Sequence, residues 1–306
     1  MIHRHTRREL FAGAAAALFA RRLGALPLAE IKLGVTTDEI DDDVEAAAKF
    51  LAGFDLKWAE VRNIWGKYNT ELPIEKIRDT AAIFERHGIR VSSEDSALFR
   101  GLLPPDTPEG RKQIDEQWPL LDLAIERAKV FGATKIRVFG FTLGGTEGPS
   151  ERSSARIYEL LSEASRRAKR AGLRIAMENL EKAHIATGAQ AAEALKHVKE
   201  DNFGITWDPN NAAQSGEQAF PEGYRKLDPA RIFHVHLRDY IHRPDGKVVW
   251  VAVGDGEFDN LGQIRALLKD GYKETLNLET HWRDGKSKAS SSATSLKGLL
   301  KVIERV

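Results

Sequence analysis

No cysteine occurs among the 306 residues, which excludes disulfides, thiolate nucleophiles and cysteine-ligated zinc, so any metal must be held by oxygen and imidazole. No charge of one sign dominates either. Lys+Arg 46 against Asp+Glu 45 leaves a net charge of +1, which gives no footing to a nucleic-acid scaffold or a general membrane-surface binder. A small molecule is the expected partner, with no nucleic acid and no stable membrane association. The alanine-rich stretch 12–20 is too short to span a bilayer, which takes about 20 residues. No Pro/Gly/Ser linker or internal repeat divides the chain beyond it, and no glycine-rich phosphate loop follows the first strand pattern.

Thr6, Arg7, Arg8, Glu9, Leu10 and Phe11 stand directly before that alanine-rich stretch, an arrangement that resembles a twin-arginine export signal. Residues 1–29 are therefore expected to be signal and linker, and the protein to be exported, folded, to the periplasm. Pro27 sits where a small residue is wanted before Glu30, so cleavage near Ala25 and retention of the signal are both open.

From residue 31 onward, β-type runs alternate with helical ones. Strands are predicted at 31–36, 56–62, 89–94, 135–139, 173–179, 203–208, 232–239 and 275–281. Helices are predicted at 43–52, 74–87, 109–131, 150–171, 189–199, 261–269 and 292–304, several closing on Gly88, Gly132, Gly172 or Gly271. Eight strands with helical crossovers predict one (β/α)8 TIM barrel over 30–306, with a doubly wound open sheet as the alternative. The stretch after the sixth strand, with Gly216 and Pro221, reads as irregular, and 240–259 reads as a flap over the site.

The stretch FHVHLRDY, 233–240, carries a chemical signal as well. Phe233, Val235 and Leu237 share one face of the pleat while His234, His236 and Arg238 share the other. The neighbouring strands repeat the pattern: Glu178, Asp208 and Glu279 each stand near a strand's C-terminal end, opposite its helix-packing face. Barrel active sites assemble at that end. Three carboxylates converging in a closed interior cost several kcal/mol each unless neutralised, whereas a divalent cation beside an imidazole completes their charge and geometry. The predicted metal ligands are Glu178, Asp208, His236 and Glu279, a set that suits Mn²⁺, Co²⁺ or Mg²⁺ and does not exclude Zn²⁺. His234 has the same facing but lies ~6.7 Å deeper. Unrelated ion pairs with Arg174 and Arg238 are the competing reading.

Five motifs stand in a recurrent order: AMEN around Glu178, WDPNN at Asp208, HVHLRD at His236, GDGEFD at 254–259 and LNLETHW around Glu279. With them the chain resembles the xylose isomerase-like TIM barrel superfamily, in its sugar phosphate isomerase/epimerase branch. That resemblance implies one divalent metal ion on the four predicted ligands, with Glu178 and Glu279 also serving as acid and base on opposite faces of a sugar. It departs from the ketose 3-epimerase pattern at His184, Asn211 and His242, positions that contact sugar hydroxyls there, which argues against a free ketohexose.

Glu60, Arg62, Arg137, His184, Asn211, Arg238 and His281 are the predicted substrate-binding residues. Arg62 and Arg137 suit a carboxylate or phosphate, or else pair with Glu60 and Glu94. The expected function is isomerisation or epimerisation of a sugar or sugar derivative through a metal-stabilised enediolate. The alternatives are a lyase or dehydratase using the same first proton transfer, and an exported, non-catalytic carbohydrate-binding barrel.

Overall fold

Runs in which apolar and polar residues alternate become strands, and the amphipathic stretches between them become helices, in the predicted order. The computed structural model describes residues 31–145 and 148–306, and the expected export signal falls outside them. The chain passes through β1 (Leu33–Thr36), α1 (Val44–Gly53), β2 (Trp58–Val61), a small hairpin of β3 (Asn63–Ile64) and β4 (Lys67–Tyr68), α2 (Ile74–Arg86) and β5 (Arg90–Asp95). It continues through α3 (Pro108–Asp115), α4 (Trp118–Phe131), β6 (Lys135–Val138), α5 (Glu151–Arg170), β7 (Arg174–Glu178), α6 (Gly188–His197), β8 (Phe203–Trp207) and α7 (Pro209–Gln214). After irregular turns come β9 (Ile232–Leu237), a hairpin of β10 (Asp239–His242) and β11 (Val248–Val251), α8 (Asn260–Lys269), β12 (Leu276–Leu278) and α9 (Lys288–Ile303).

All eight predicted strands form the closed barrel, in the order β1-β12-β9-β8-β7-β6-β5-β2. The ring closes where Leu33, Gly34 and Val35 pair with Leu276, Asn277 and Leu278, which rules out an open sheet. Val35, Ile136, Ile175, Met177, Ile205, Val235 and Leu278 pack outward under the helices and are completely buried. Each contributes about 1.5–3 kcal/mol by leaving water. The inner face is different. A barrel interior is usually filled by branched apolar side chains, but here Glu60, Thr206, His234, His236 and Asn277 fill it, all completely buried. Gly34 makes room for one of them, since a Cβ there would come within 2.8 Å of Asn277 Oδ1.

Two helix boundaries differ from the pattern. The predicted helix 109–131 is two helices, α3 and α4, because Pro119 in the first turn of α4 has no N–H to carry the ladder back across the junction. The last helix begins at Lys288, since Ser287 caps it by accepting a hydrogen bond from Ser290 N, extending it through a serine run that lacks apolar periodicity.

The predicted flap is the β10–β11 hairpin, and Asp239 ties it down. Its buried carboxylate accepts hydrogen bonds from the backbone N–H groups of Tyr240, Gly254, Gly256 and Phe258. A Cβ at Gly256 would lie 2.1 Å from Asp239 Oδ1, which explains the glycine in GDGEFD. From the hairpin, Trp250 stands 5.0 Å from the Arg238 guanidinium and 6.0 Å from the His281 ring, so the flap reaches the barrel mouth.

Candidate metal centre

Each of the four predicted ligands is placed by its strand and then aimed by a neighbour. Glu178 closes β7, and Arg137 Nη1 donates to its Oε2 at 2.7 Å, leaving Oε1 toward the centre. Asp208 directly follows β8 and divides its carboxylate between two tasks. Oδ1 caps α7 by accepting from Asn210 N and Asn211 N at 2.9 and 3.0 Å, while Oδ2 faces the centre. Asn179 locks that backbone in place, its Oδ1 accepting from Asp208 N and its Nδ2 donating to Asp208 O, both at 2.8 Å. The AMEN and WDPNN motifs therefore work as one clamp. His236 lies in β9, and its Nε2 is 2.8 Å from Glu60 Oε1. In the neutral ring, an Nε2–H directed at that carboxylate leaves the lone pair on Nδ1, the tautomer a metal ligand requires.

That Nδ1 is the focus of the site. It lies 3.4 Å from Glu178 Oε1, 3.5 Å from Asp208 Oδ2 and 3.3 Å from Glu279 Oε2, and it has no hydrogen-bond partner. Glu279 Oε2 has none either, although Arg238 Nη2 stands 3.1 Å away. One ligand atom from each of the four residues lies within 4.8 Å of all the others. Buried polar atoms without partners are uncommon in native folds. Oxygen and imidazole donors converging on one point fit a divalent cation.

The electrostatics agree. Burial pushes the Glu178 carboxyl up, but Arg137 and His236 outweigh it and hold the group at about 2. Burial likewise opposes the ionised form of Glu279, and Arg238, His281, His236 and Arg62 hold it well below the usual carboxylate range. For His236 burial disfavours the charged ring, yet Glu60, Glu279 and Glu178 raise it well above an ordinary histidine. The site thus favours positive charge at one point, where a metal ion would compete with a proton.

The predicted substrate residues separate into three groups. Arg62, Arg137, Asn211, Arg238 and His281 line a small cavity of about 70 Å³ together with Glu178 and Glu279. Asn211 donates to Asn179 O at 2.9 Å and lies 3.4 Å from Glu178 Oε1, so it supports the ligand set as well as the wall. Glu60 is placed elsewhere: fully buried, it contacts Thr36, His234, His236 and Asn277 and is not among the residues lining this cavity. It positions His236. His184, half-buried, stands 3.4 Å from Ser153 Oγ and is likewise not among the residues lining this cavity. His242 joins Glu257 on the exposed flap at 2.8 Å.

The predicted arginine pairings change as well. Arg62 pairs with Glu279, with Asp38 at 2.8 Å and with Glu39 at 3.1 Å, and Arg137 pairs with Glu178 and with Asp95 at 3.7 Å. Asp38, Glu39 and Asp95 went unrecognised in the sequence, as did Tyr68 and Arg100, which line the cavity. A usable signal existed for the first two, acidic residues directly following the first barrel strand. Arg238 contacts both Asp208 and Glu279 through Nη2, and its Nη1 lies 2.9 Å from His281 Nδ1.

The family model described as xylose isomerase-like TIM barrel matches residues 44–302, and the chain belongs to that family. Among solved structures, an IolI protein with a bound zinc atom superposes with a TM-score of 0.73 at 20% identity, over 90% of this chain and 99% of that one. An L-ribulose 3-epimerase gives 0.71 at 15%, covering 90% and 95%. A xylose isomerase-like TIM barrel protein from Mycobacterium smegmatis in complex with magnesium gives 0.64 at 16%, covering 90% and 97%. At these identities the likeness is one of fold. No curated protein matches the sequence.

Proposed function

We propose that this member of the xylose isomerase-like TIM barrel family is a divalent-metal-dependent isomerase or epimerase of a sugar or sugar derivative. The observation that carries the reading is His236 Nδ1, buried and unpartnered amid three carboxylate oxygens at the C-terminal mouth of the barrel. Glu178, Asp208, His236 and Glu279 would hold the ion. Bound there, a divalent cation supplies Lewis-acid polarisation of a substrate carbonyl and its neighbouring hydroxyl, which acidifies the adjacent C–H.

The protein's own residues move the proton. In the barrel order β12-β9-β8-β7, Glu279 and Glu178 flank the His236 and Asp208 pair from opposite sides. A substrate seated between them meets one carboxylate on each face. One of them, ionised, can take a proton from carbon; inversion follows when the other has first taken a proton from water and delivers it from the opposite face, while the proton held by the base passes to water before the next turnover. Arg137 fixes the orientation of Glu178, and Arg62 and Arg238 that of Glu279. A lyase would begin with the same proton abstraction and then expel a β-substituent.

Incubating the metal-loaded protein with ketoses and keto-glycosides in D₂O and following the α-carbon by NMR separates the outcomes. Metal-dependent deuterium incorporation with an isomeric product is expected, and Glu178→Gln is expected to lower it by about 10²–10⁴-fold. Binding without exchange by the intact protein would sink the reading. The twin-arginine signature at Arg7 and Arg8 supports export of the folded, loaded protein. Unchanged fractionation of Arg7→Lys/Arg8→Lys would remove that part.

A further inference from the structure

The arginines at the mouth are not equivalent. Arg62 faces Asp38, Arg137 faces Asp95, and Arg283 faces Glu39. Arg238 faces Asp208 and Glu279, Arg62 also meets Glu279, and Arg137 also meets Glu178, so each of these guanidiniums has a carboxylate. Arg100 is left over. It is exposed to solvent, lines the same cavity as Glu178 and Glu279, and has no carboxylate partner among the described residues. Its Nη1 makes one hydrogen bond, to Tyr68 Oη at 3.1 Å, and Tyr68 also lines the cavity.

The surroundings of Arg100 are built rather than incidental. Its guanidinium lies 5.8 Å from the Phe139 ring, and the Arg137 guanidinium lies 4.5 Å from the same ring. Two bulky residues in adjacent loops, Phe99 and Phe141, adopt left-handed backbone with φ of 61° and 62°. Such a conformation is an outlier for a large side chain and persists only where the surroundings enforce it, most often at functional sites. Both rings are buried and stack at 4.7 Å, Phe141 N donates to Phe99 O at 2.8 Å, and Phe99 packs edge-on against Trp118. This packing anchors the loop directly before Arg100 and joins it to the loop that carries Phe139.

We infer that Arg100 and Tyr68 form an oxyanion subsite at the barrel mouth, so that the substrate is an anionic sugar derivative whose carboxylate or phosphate lies at the end remote from the ligand cluster. The inference rests on the proposed isomerase or epimerase reading of the same site. A guanidinium with free donors beside a phenol hydroxyl supplies the charge-assisted hydrogen bonds that either oxyanion accepts.

The test uses three probes that differ only at carbon six, D-fructose, D-fructose 6-phosphate and D-fructuronate, titrated calorimetrically into the metal-loaded full chain. One anionic probe is expected to bind at least about 10-fold more tightly than the neutral sugar, and which one does so distinguishes phosphate from carboxylate. Arg100→Gln should collapse that preference, Arg100→Lys should restore part of it, and Tyr68→Phe should reduce it by a smaller factor. Melting temperatures of the variants confirm that they fold. No preference for either anion in the wild type, or a preference that survives Arg100→Gln, overturns the inference. Metal binding and deuterium exchange, measured separately, report on the proposed reaction, so failure of the subsite and failure of that reading are told apart.

Discussion

The two ends of the barrel both bury charge, and they treat it oppositely. At the N-terminal end Lys135, almost fully buried, donates to Glu274 Oε2 at 3.1 Å. Arg174 completes the group, 3.0 Å from Glu274 Oε1 and 3.3 Å from Thr134 Oγ1. Lys135 and Arg174 thus share the carboxylate of Glu274. At the C-terminal end three carboxylates and an imidazole point ligand atoms inward, and His236 Nδ1 and Glu279 Oε2 are left without hydrogen bonds. Desolvating an ion costs several kcal/mol unless something returns it. The bottom cluster returns it internally and closes the barrel. The top cluster has donor atoms left over, which on the proposed reading a cation from outside would complete.

The comparison can be broken or sharpened by substitution, beginning with the largest expected effect. Asp208→Asn removes an inner oxygen and weakens the cap of α7. It should reduce metal-dependent proton exchange by about 10²–10⁴-fold and leave little metal after dialysis, read by elemental analysis. Full metal occupancy in that variant would break the contrast.

Glu94 tests the contrast from another side, being a buried carboxylate that belongs to neither cluster. Both its oxygens lack partners, and burial, only partly offset by Asn69, Arg137 and Arg127, pushes its pKa up to about 8. A carboxyl raised on folding binds more protons folded than unfolded. Its contribution is therefore intact below the unfolded value of about 4.5 and is lost as pH climbs through about 8. Glu94→Gln should flatten that decline and raise stability above pH 8 by a few kcal/mol, measured by urea unfolding at pH 5 and 8.5. An unchanged pH slope would show that Glu94 is solvated.

Glu60→Gln leaves all four ligands present but weakens the hold on His236 Nε2, and should cost about 10–100-fold in metal affinity by competition titration. An effect as complete as that of Asp208→Asn would mean Glu60 binds metal directly. Smallest is Glu274→Gln at the opposite end, which leaves Lys135 and Arg174 without their shared carboxylate. Because Glu274 is about a third exposed, a loss of about 1–2 kcal/mol in chemical denaturation is expected, with metal stoichiometry unchanged.

Much of this was legible in the pattern of residues. The alternation in FHVHLRDY and its neighbours identified inward faces, and in a parallel barrel those faces meet at one end, so the convergence of Glu178, Asp208, His236 and Glu279 followed from local periodicity. What escaped were features that depend on register and loop path. Glu60 has an inward face like the others, but a register irregularity between Ala59 and Glu60 accompanies its place outside the cavity lining. His184 and Arg100 lie in loops, where no period states a direction, and the structure places only the second in the cavity wall.

The sequence by itself determined the donor chemistry, because a chain without cysteine offers a cation only oxygen and imidazole. It also pointed to the barrel through eight two-faced strands spaced by amphipathic helices, and the pairing of β1 with β12 then excluded the open sheet. Tertiary structure alone decided which charges are satisfied. Arg62 meets Glu279 across 217 positions and Glu60 meets His236 across 176, contacts made only when β1 and β12 close the ring. A side chain's facing is local, but whether its charge finds a partner depends on everything that closure brings beside it.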